Sequence, residues 1–363
     1  MNVGIDARKY FDFGIGTYIR NLSSFFDRQN EDRFTYFASP DNAGLISRTH
    51  TGKTIVNRSG KYSLGELISL SFQANRAGIS LFHSPHYTLP FGLSMRRVVT
   101  IHDVIHLRFP AYFSPVQRAY ARVMIGHACT AADAVIVDSD FAGKELLRCM
   151  PCPPEKIHVI PLGVSEDFAP AQDNASADEF RRKHNTGKRF LLYVGSLKPH
   201  KNVSALIRSV SALGDRTDVR IVCVGERLEE NSALHALCKS EGIGDRVQSL
   251  GWLSEPDLIA AYRAATALVM PSLYEGFGFP VLEAMACGTP VITSNAASLP
   301  EVMGDAGILI DPSGEGELAG AIQSVLEDPS LRDSLREKGL RRAKLFTWAR
   351  CAEETLNLYR SLA

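Results

Sequence analysis

Short runs of β-branched and apolar residues recur along this chain, and longer stretches with helical spacing fall between several of them. The runs predict strands at Val3–Ile5, Arg33–Phe37, Thr54–Val56, Leu81–His83, Val98–Ile101, Ala134–Val137 and Ile157–Ile160. A second set follows at Phe190–Val194, Arg220–Val224, Val247–Leu250, Ala267–Met270, Val291–Thr293 and Gly307–Ile310. Helical patterns are expected at Gly16–Phe26 and Pro115–Ala132, and later at Asn202–Leu213, Ser232–Glu241, Glu255–Ala264, Pro280–Cys287 and Ser298–Val302. Strands that are apolar throughout and alternate with helices read as βαβ units on buried parallel sheets. Between the two sets, the stretch Gly163–Arg189 is rich in Pro, Asp, Asn, Ser and Ala and reads as an interdomain linker leading into a short helix. The tail Asp328–Ala363 is amphipathic and helical, with Phe346, Trp348, Leu356 and Tyr359 as its bulky apolar residues.

Length agrees with this division, because 363 residues exceed one ordinary core and suit two domains. Two Rossmann-like halves would leave a cleft between the carboxyl ends of their strands, where ligands bind in such sheets. The 40 basic residues equal the 40 acidic ones, which argues against nucleic acid as a general partner. The balance is uneven, however. Residues 1–165 hold 18 basic and 13 acidic side chains, a net of +5, so an anionic partner such as a phosphate or a membrane surface suits that half, as does chance scatter on a solvated face. No apolar run reaches the roughly 20 residues needed to span a bilayer, and the first residues do not read as a signal peptide. Seven cysteines at irregular spacing suit a reducing compartment, so a cytoplasmic protein is expected. Cys149 and Cys152 form an isolated CxxC without the second pair a zinc site needs.

Candidate chemistry gathers where strands end. In LLYVGSLKPHKN, residues 191–202, a strand runs into Gly195 and then Ser196, Lys198 and Lys201 before a helix. A glycine turn, a lysine and a helix amino end make an anion site, although a plain strand-to-helix loop with solvated lysines has the same letters. Gly14 and Gly16 in FGIGTYIRNL stand between the first strand and a helix, where a backbone can approach a phosphate or simply turn. In VVTIHDVIHLRFP a strand leads into His102, which can exchange a proton with a hydroxyl or be satisfied by a backbone carbonyl. His83 and His86 lie in a similar loop without a third ligand to complete a metal set. The stretch YEGFGFPVLEAMACGTPVI places Glu275 before the Gly276-Phe277-Gly278 turn and Glu283 inside an apolar helix. Either Glu283 lies on an exposed helix edge or a polar group awaits it. Paired hydroxyls, such as those of a ribose, suit a carboxylate.

Together these segments resemble the retaining glycosyltransferases of family 4, which have the GT-B fold. Glu275 and Glu283 match that family's E-x7-E motif, and VGSLKPHKN, TIHD, GIGTY and the closing FTWARCAEETLNLYR extend the likeness over nearly the whole chain. The resemblance implies an α/β protein with Rossmann-like domains at 1–164 and 165–345 facing a central cleft, and a final helix at 346–363 crossing back to the first. The implied reaction moves a hexose from a nucleotide sugar, GDP- or UDP-linked, to a saccharide acceptor with retained configuration and no metal. Lys201 would bind the donor diphosphate and Glu283 the ribose. Glu275 and the backbone of Gly276, Phe277 and Gly278 would hold the sugar, with His102 beside its reacting face. Gly14 and Gly16 would let the diphosphate and acceptor approach. Ser196 stands where many members carry an arginine, and Lys198 is placed to compensate. Asp138-Ser139-Asp140 matches a metal-binding DxD by letters but lies in the first half.

Within the family the first segments look most like bacterial surface-polysaccharide mannosyltransferases, which suggests GDP-mannose as donor. The acceptor would then be a saccharide or a polyprenyl-diphosphate-linked saccharide at the inner face of the membrane, with peripheral attachment. Other readings are a nucleotide-sugar epimerase, a phosphorylase in spite of the short chain, or a catalytically silent sugar-nucleotide binder. An oxidoreductase is disfavoured, because no strand–GxGxxG–helix unit is present.

Overall fold

In the computed structural model the described residues are 1–28, 32–60, 63–173, 175–214, 217–314 and 316–363. They form two compact units, one of Met1–Gly163 with Thr347–Ala363 and one of Val164–Phe346. Each unit is built on a parallel sheet. The first holds β1 (Asn2–Asp6), β2 (Arg33–Ala38), β3 (Lys53–Val56), β4 (Leu81–Ser84), β5 (Arg96–Thr100), β6 (Ala134–Val137) and β7 (Ile157–Val159). The second holds β8 (Phe190–Gly195), β9 (Arg220–Gly225), β10 (Val247–Gly251), β11 (Ala267–Met270), β12 (Val291–Ser294) and β13 (Ile308–Ile310).

Strand order is β3-β2-β1-β4-β5-β6-β7 in the first sheet and β10-β9-β8-β11-β12-β13 in the second. Both orders reverse direction once, between β1 and β4 and between β8 and β11. At such a switch point the two flanking crossovers leave on opposite faces, and a crevice opens at the strand carboxyl ends. The central strands are buried on both faces: Ala134, Val135, Ile136 and Val137 of β6 have no exposed surface, nor do Ala267, Leu268 and Val269 of β11. This double burial produces continuous apolar runs instead of alternation, and it explains why strands such as these are readable from the sequence.

Two expectations need correction, and a third, the helical tail, gains detail. The first helix spans Phe13–Phe26, so Gly14 and Gly16 lie in its opening turn, not in a loop before it. The stretch after Gly163 is folded, with Asn174 outside the described residues. Phe168 is buried near the Tyr262 ring, Arg263 Nε donates to the Ala169 carbonyl at 2.8 Å, and a helix spans Ala175–His184. Its polar composition reflects an exposed helix face and turns. The tail is two helices, Pro329–Ala343 in the second unit and Trp348–Leu362 in the first. The second is capped by Thr347, whose hydroxyl accepts from the Arg350 N–H at 3.2 Å. Its Tyr359 is fully buried, with its hydroxyl 2.5 Å from His83 Nδ1. No helix among the described residues is long and apolar enough to cross a membrane.

Candidate active site

In the second unit, the loops after β8 and β11 flank the switch point and bring the sequence candidates together. After β8 the chain passes through a 3-10 turn, Pro199–Lys201, and Asn202 takes a left-handed φ of 54° before the helix Val203–Ala212. That geometry turns Lys201 back toward the neighbouring loop. Its Nζ donates to both oxygens of Glu275, at 2.7 and 2.6 Å. The backbone fastens the two loops as well, since the Leu273 N–H donates to the His200 carbonyl at 2.7 Å. Lys201 and Glu275 are 18% and 10% exposed at their side chains, so the pair is largely desolvated yet reachable by a ligand. Ser196 and Lys198 lie on the same loop. Tyr193 Oη donates to the Ser196 carbonyl at 2.5 Å, and Lys198 stands exposed before the turn.

The glycine turn has a division of labour. Phe277 is buried, edge-on to Phe279 and Phe346, so its side chain anchors the loop and only its backbone is available to a ligand. Gly278 has a φ of 114°, and a Cβ there would lie 2.8 Å from a Leu299 methyl, so the turn requires glycine. Ser298 was not singled out from the sequence. It is fully buried, and its hydroxyl lies 2.9 Å from the carbonyls of both Glu275 and Phe277, fixing the loop.

Glu283 lies in the helix Phe279–Cys287. It is half-buried, and the Tyr262 hydroxyl donates to its Oε2 at 2.7 Å. Burial pushes its carboxyl up to about 7, against the weaker opposing effect of the Tyr262 hydrogen bond. The carboxyl is therefore partly protonated at neutral pH. The unfolded chain loses this proton near 4.5 and the folded chain near 7, so stability falls as pH rises between those values, by up to about 3 kcal/mol. Glu283→Gln should recover most of that loss at pH 8, as read by urea unfolding. A nucleotide whose ribose hydroxyls donate to Glu283 favours the ionised form. Calorimetry near pH 6.5 in buffers of different ionisation enthalpy should then show proton release on binding, and none in Glu283→Gln.

In the first unit, His102 follows β5 and meets Asp138 at the end of β6. Its Nδ1 lies 2.7 Å from Asp138 Oδ2, and its Nε2 lies 3.1 Å from the Pro85 carbonyl. Two acceptors on two ring nitrogens call for two N–H groups, which is the imidazolium. Burial alone would push this histidine down, but the Asp138 carboxylate, with smaller help from Asp103 and the Pro85 carbonyl, holds it above its ordinary value. Asp138 is therefore the residue that sets the charge of His102. Its neighbour Ser139 caps the helix Asp140–Cys149 by accepting from the Ala142 N–H at 3.1 Å. The DxD letters thus serve a histidine and a helix end. Among the described residues no group of three or more His, Cys, Asp or Glu is placed to hold a metal.

The remaining candidates separate. His83 is fully buried between Thr100 Oγ1, at 2.8 Å, and Tyr359, and burial pushes it down to about 3, so it is a neutral core residue. His86 faces the β1 end, where Lys9 Nζ lies 3.1 Å from its Nδ1. Beside it Arg8 makes a buried pair with Asp6, at 2.8 Å from Nε and 2.6 Å from Nη2. This charged group at the β1–β4 switch point was not anticipated. Gly16 is required for packing: a Cβ would lie 2.5 Å from the Tyr10 carbonyl oxygen, which Arg20 Nη1 also binds at 2.6 Å. Gly16→Ala should destabilise the chain by about 2 kcal/mol in chemical denaturation, because backbone cannot yield as a side chain can.

Comparison with known proteins gives the family. The family described as glycosyl transferases group 1 matches residues 175–342, and glycosyltransferase family 4 matches residues 14–168. O-antigen chain mannosyltransferase B of Escherichia coli is 33% identical over 78% of this chain and 74% of its own length. An MMP alpha-(1->4)-mannosyltransferase of Mycolicibacterium hassiacum is 34% identical over 61% of this chain and 52% of its own, so this chain spans about half of that relative. Sucrose-phosphate synthase from Thermosynechococcus elongatus aligns over 100% of this chain and 99% of its own, with a TM-score of 0.82 at 24% identity, which shows a common fold. The chain belongs to glycosyltransferase family 4 and is a glycosyltransferase of the GT-B fold.

Proposed function

We propose that the chain transfers mannose from GDP-mannose, with retained anomeric configuration, to a saccharide or polyprenyl-diphosphate-linked saccharide in surface-polysaccharide synthesis. The observation that carries this reading is the Lys201–Glu275 pair, set at the switch point of the second sheet. A diphosphate arriving there competes with Glu275 for the Lys201 ammonium. Glu275 is then released to accept hydroxyls of the transferred sugar, while Glu283 holds the ribose. As the anomeric bond breaks, negative charge grows on the leaving diphosphate, and Lys201 with the adjoining helix amino end stabilises it without a metal. Front-side attack, with the donor phosphate taking the acceptor proton, accounts for retention. His102 is assigned to catalysis, its Nε2 exchanging the 3.1 Å bond to Pro85 for a substrate oxygen. The choice of mannose draws on the two mannosyltransferase relatives.

A peripheral position on the inner face of the membrane belongs to the same proposal. Ser71 of the helix Leu64–Arg76 donates to the Phe91 carbonyl, and the Phe91 ring packs on His127 of the helix Pro115–Ala131. On the same two helices Ile68, Phe72 and Val123 are 69%, 62% and 62% exposed, and Arg76 lies over the Phe72 ring. Exposed apolar side chains with an arginine beside them suit an anionic bilayer surface. Phe72→Glu should reduce co-sedimentation with phosphatidylglycerol vesicles several-fold.

A panel of nucleotide sugars tests the donor assignment by thermal shift, followed by product analysis. GDP-mannose should give the largest shift and an acceptor-dependent product. Free sugar formed equally well without acceptor would indicate an epimerase, and binding without turnover would indicate a silent binder.

A further inference from the structure

At the amino ends of the second sheet, opposite the donor loops, lies a cavity of about 450 Å³. Its wall includes the residues just before three parallel strands: Arg189 before β8, Thr266 before β11 and Pro290 before β12. Five arginines line it, Arg181, Arg189, Arg263, Arg332 and Arg336, against two carboxylates, Asp173 and Asp333. The helices Glu255–Ala264 and Phe279–Cys287 also end at this wall, and each carboxyl end is worth about half a negative charge. Guanidinium charge remains in excess after all of these are counted.

Bonds to backbone carbonyls explain part of the cluster. Arg181 Nη2 donates to the Ala264 carbonyl at 2.6 Å, Arg332 Nη1 to Val325 and Leu326 at 2.7 and 3.2 Å, and Arg263 Nε to Ala169 at 2.8 Å. These bonds leave most of the N–H groups on each fork unused, and Arg181 Nε is buried without a partner. Arg181 and Arg189 pair with Asp178 and Asp218, but those carboxylates are 69% and 75% exposed and outside the cavity wall, so they neutralise little. Arg336 has no hydrogen-bond or ion-pair partner among the described residues. Its guanidinium lies over Gly288, where a Cβ would come within 3.2 Å of Cζ. Glycine at the end of that helix therefore keeps open the position Arg336 occupies.

We propose that this cavity is a second anion site that binds a small ligand bearing phosphate groups. Arginine forks match the paired oxygens of a phosphate bidentately, and convergent forks are the usual answer to more than one phosphate. The volume lies within the range of small-molecule sites and suits a diphosphate or a sugar phosphate. Because the wall stands at the strand amino ends, the site is separate from the donor loops at the carboxyl ends.

Pyrophosphate titrated calorimetrically is the probe, with vesicles containing phosphatidylglycerol as a second arm. The wild-type chain should show a class of pyrophosphate binding that Arg336→Glu weakens by at least about tenfold, and that Lys201→Ala leaves unchanged. Arg263→Ala should weaken the same class, with circular dichroism melting as the check that both variants are folded. Vesicle binding lost in these variants, without any pyrophosphate binding, would assign the phosphate to a lipid headgroup and still support the site. Absence of binding to either probe, or equal affinities in wild type and Arg336→Glu, would overturn it.

Discussion

Lys201→Ala should lower the rate of sugar transfer by about two to three orders of magnitude, the usual effect of removing one charged group from a developing anion. The side chain has two tasks. Its Nζ donates to both oxygens of Glu275, and in the proposed donor complex it faces the diphosphate. Removing it leaves Glu275, 9% exposed, without its counter-charge, which should destabilise the second unit by about 2 kcal/mol. Two measurements separate these effects. Calorimetry should show a large loss of affinity for GDP and little change for guanosine, because the nucleoside has no phosphate for Lys201 to hold. Lys201→Arg should restore stability better than turnover, since charge is kept while the point contact is not. An equal loss for guanosine and GDP would remove Lys201 from the diphosphate.

Asp138→Asn should lower turnover at pH 7 by about a hundredfold with little change in donor affinity. Asp138 carries the charge that holds His102 above its ordinary value, through a 2.7 Å contact to Nδ1. The direction with pH follows from the raised value of His102. An activity that needs the imidazolium is present below the folded value and lost as pH rises through it. Asparagine removes the carboxylate while leaving burial in place, so that limb should move to lower pH. The same shift removes stability, because a histidine held above its unfolded value stabilises the fold at pH below 6.5 and loses this as pH climbs past the folded value. A pH–rate profile distinguishes the chemical role from a packing role. Unchanged kcat with an unmoved limb would mean that His102 acts only as a structural residue.

What could be read in advance depended on whether the physical signal was local. Strands such as Ala134–Val137 and Ala267–Met270 are legible because burial on both faces forces unbroken apolar runs. Lys201, Glu275 and Glu283 were legible because strand ends, glycine turns and a proline-led helix mark where a parallel sheet gathers its ligands. Their partners were not. Ser298 secures carbonyls 21 and 23 residues away, Tyr262 is 21 residues from Glu283, and Asp138 is 36 from His102, so no spacing rule connects them. Gly14 and Gly16 misled for a related reason. Glycines ahead of a helical pattern read as a loop, yet here one of them admits the Tyr10 carbonyl against the first turn of the helix. The buried Arg8–Asp6 pair was hidden because its charges satisfy each other inside a unit, where composition alone would place them on the surface.

The most direct test of the donor assignment is a crystal structure of the chain with GDP-mannose bound. The expected result places a diphosphate oxygen about 3 Å from Lys201 Nζ, the ribose hydroxyls on Glu283, and the mannose against Glu275 with the Lys201–Glu275 contact opened. A nucleotide bound elsewhere, or one that leaves the Lys201–Glu275 pair intact and Glu283 untouched, would contradict it.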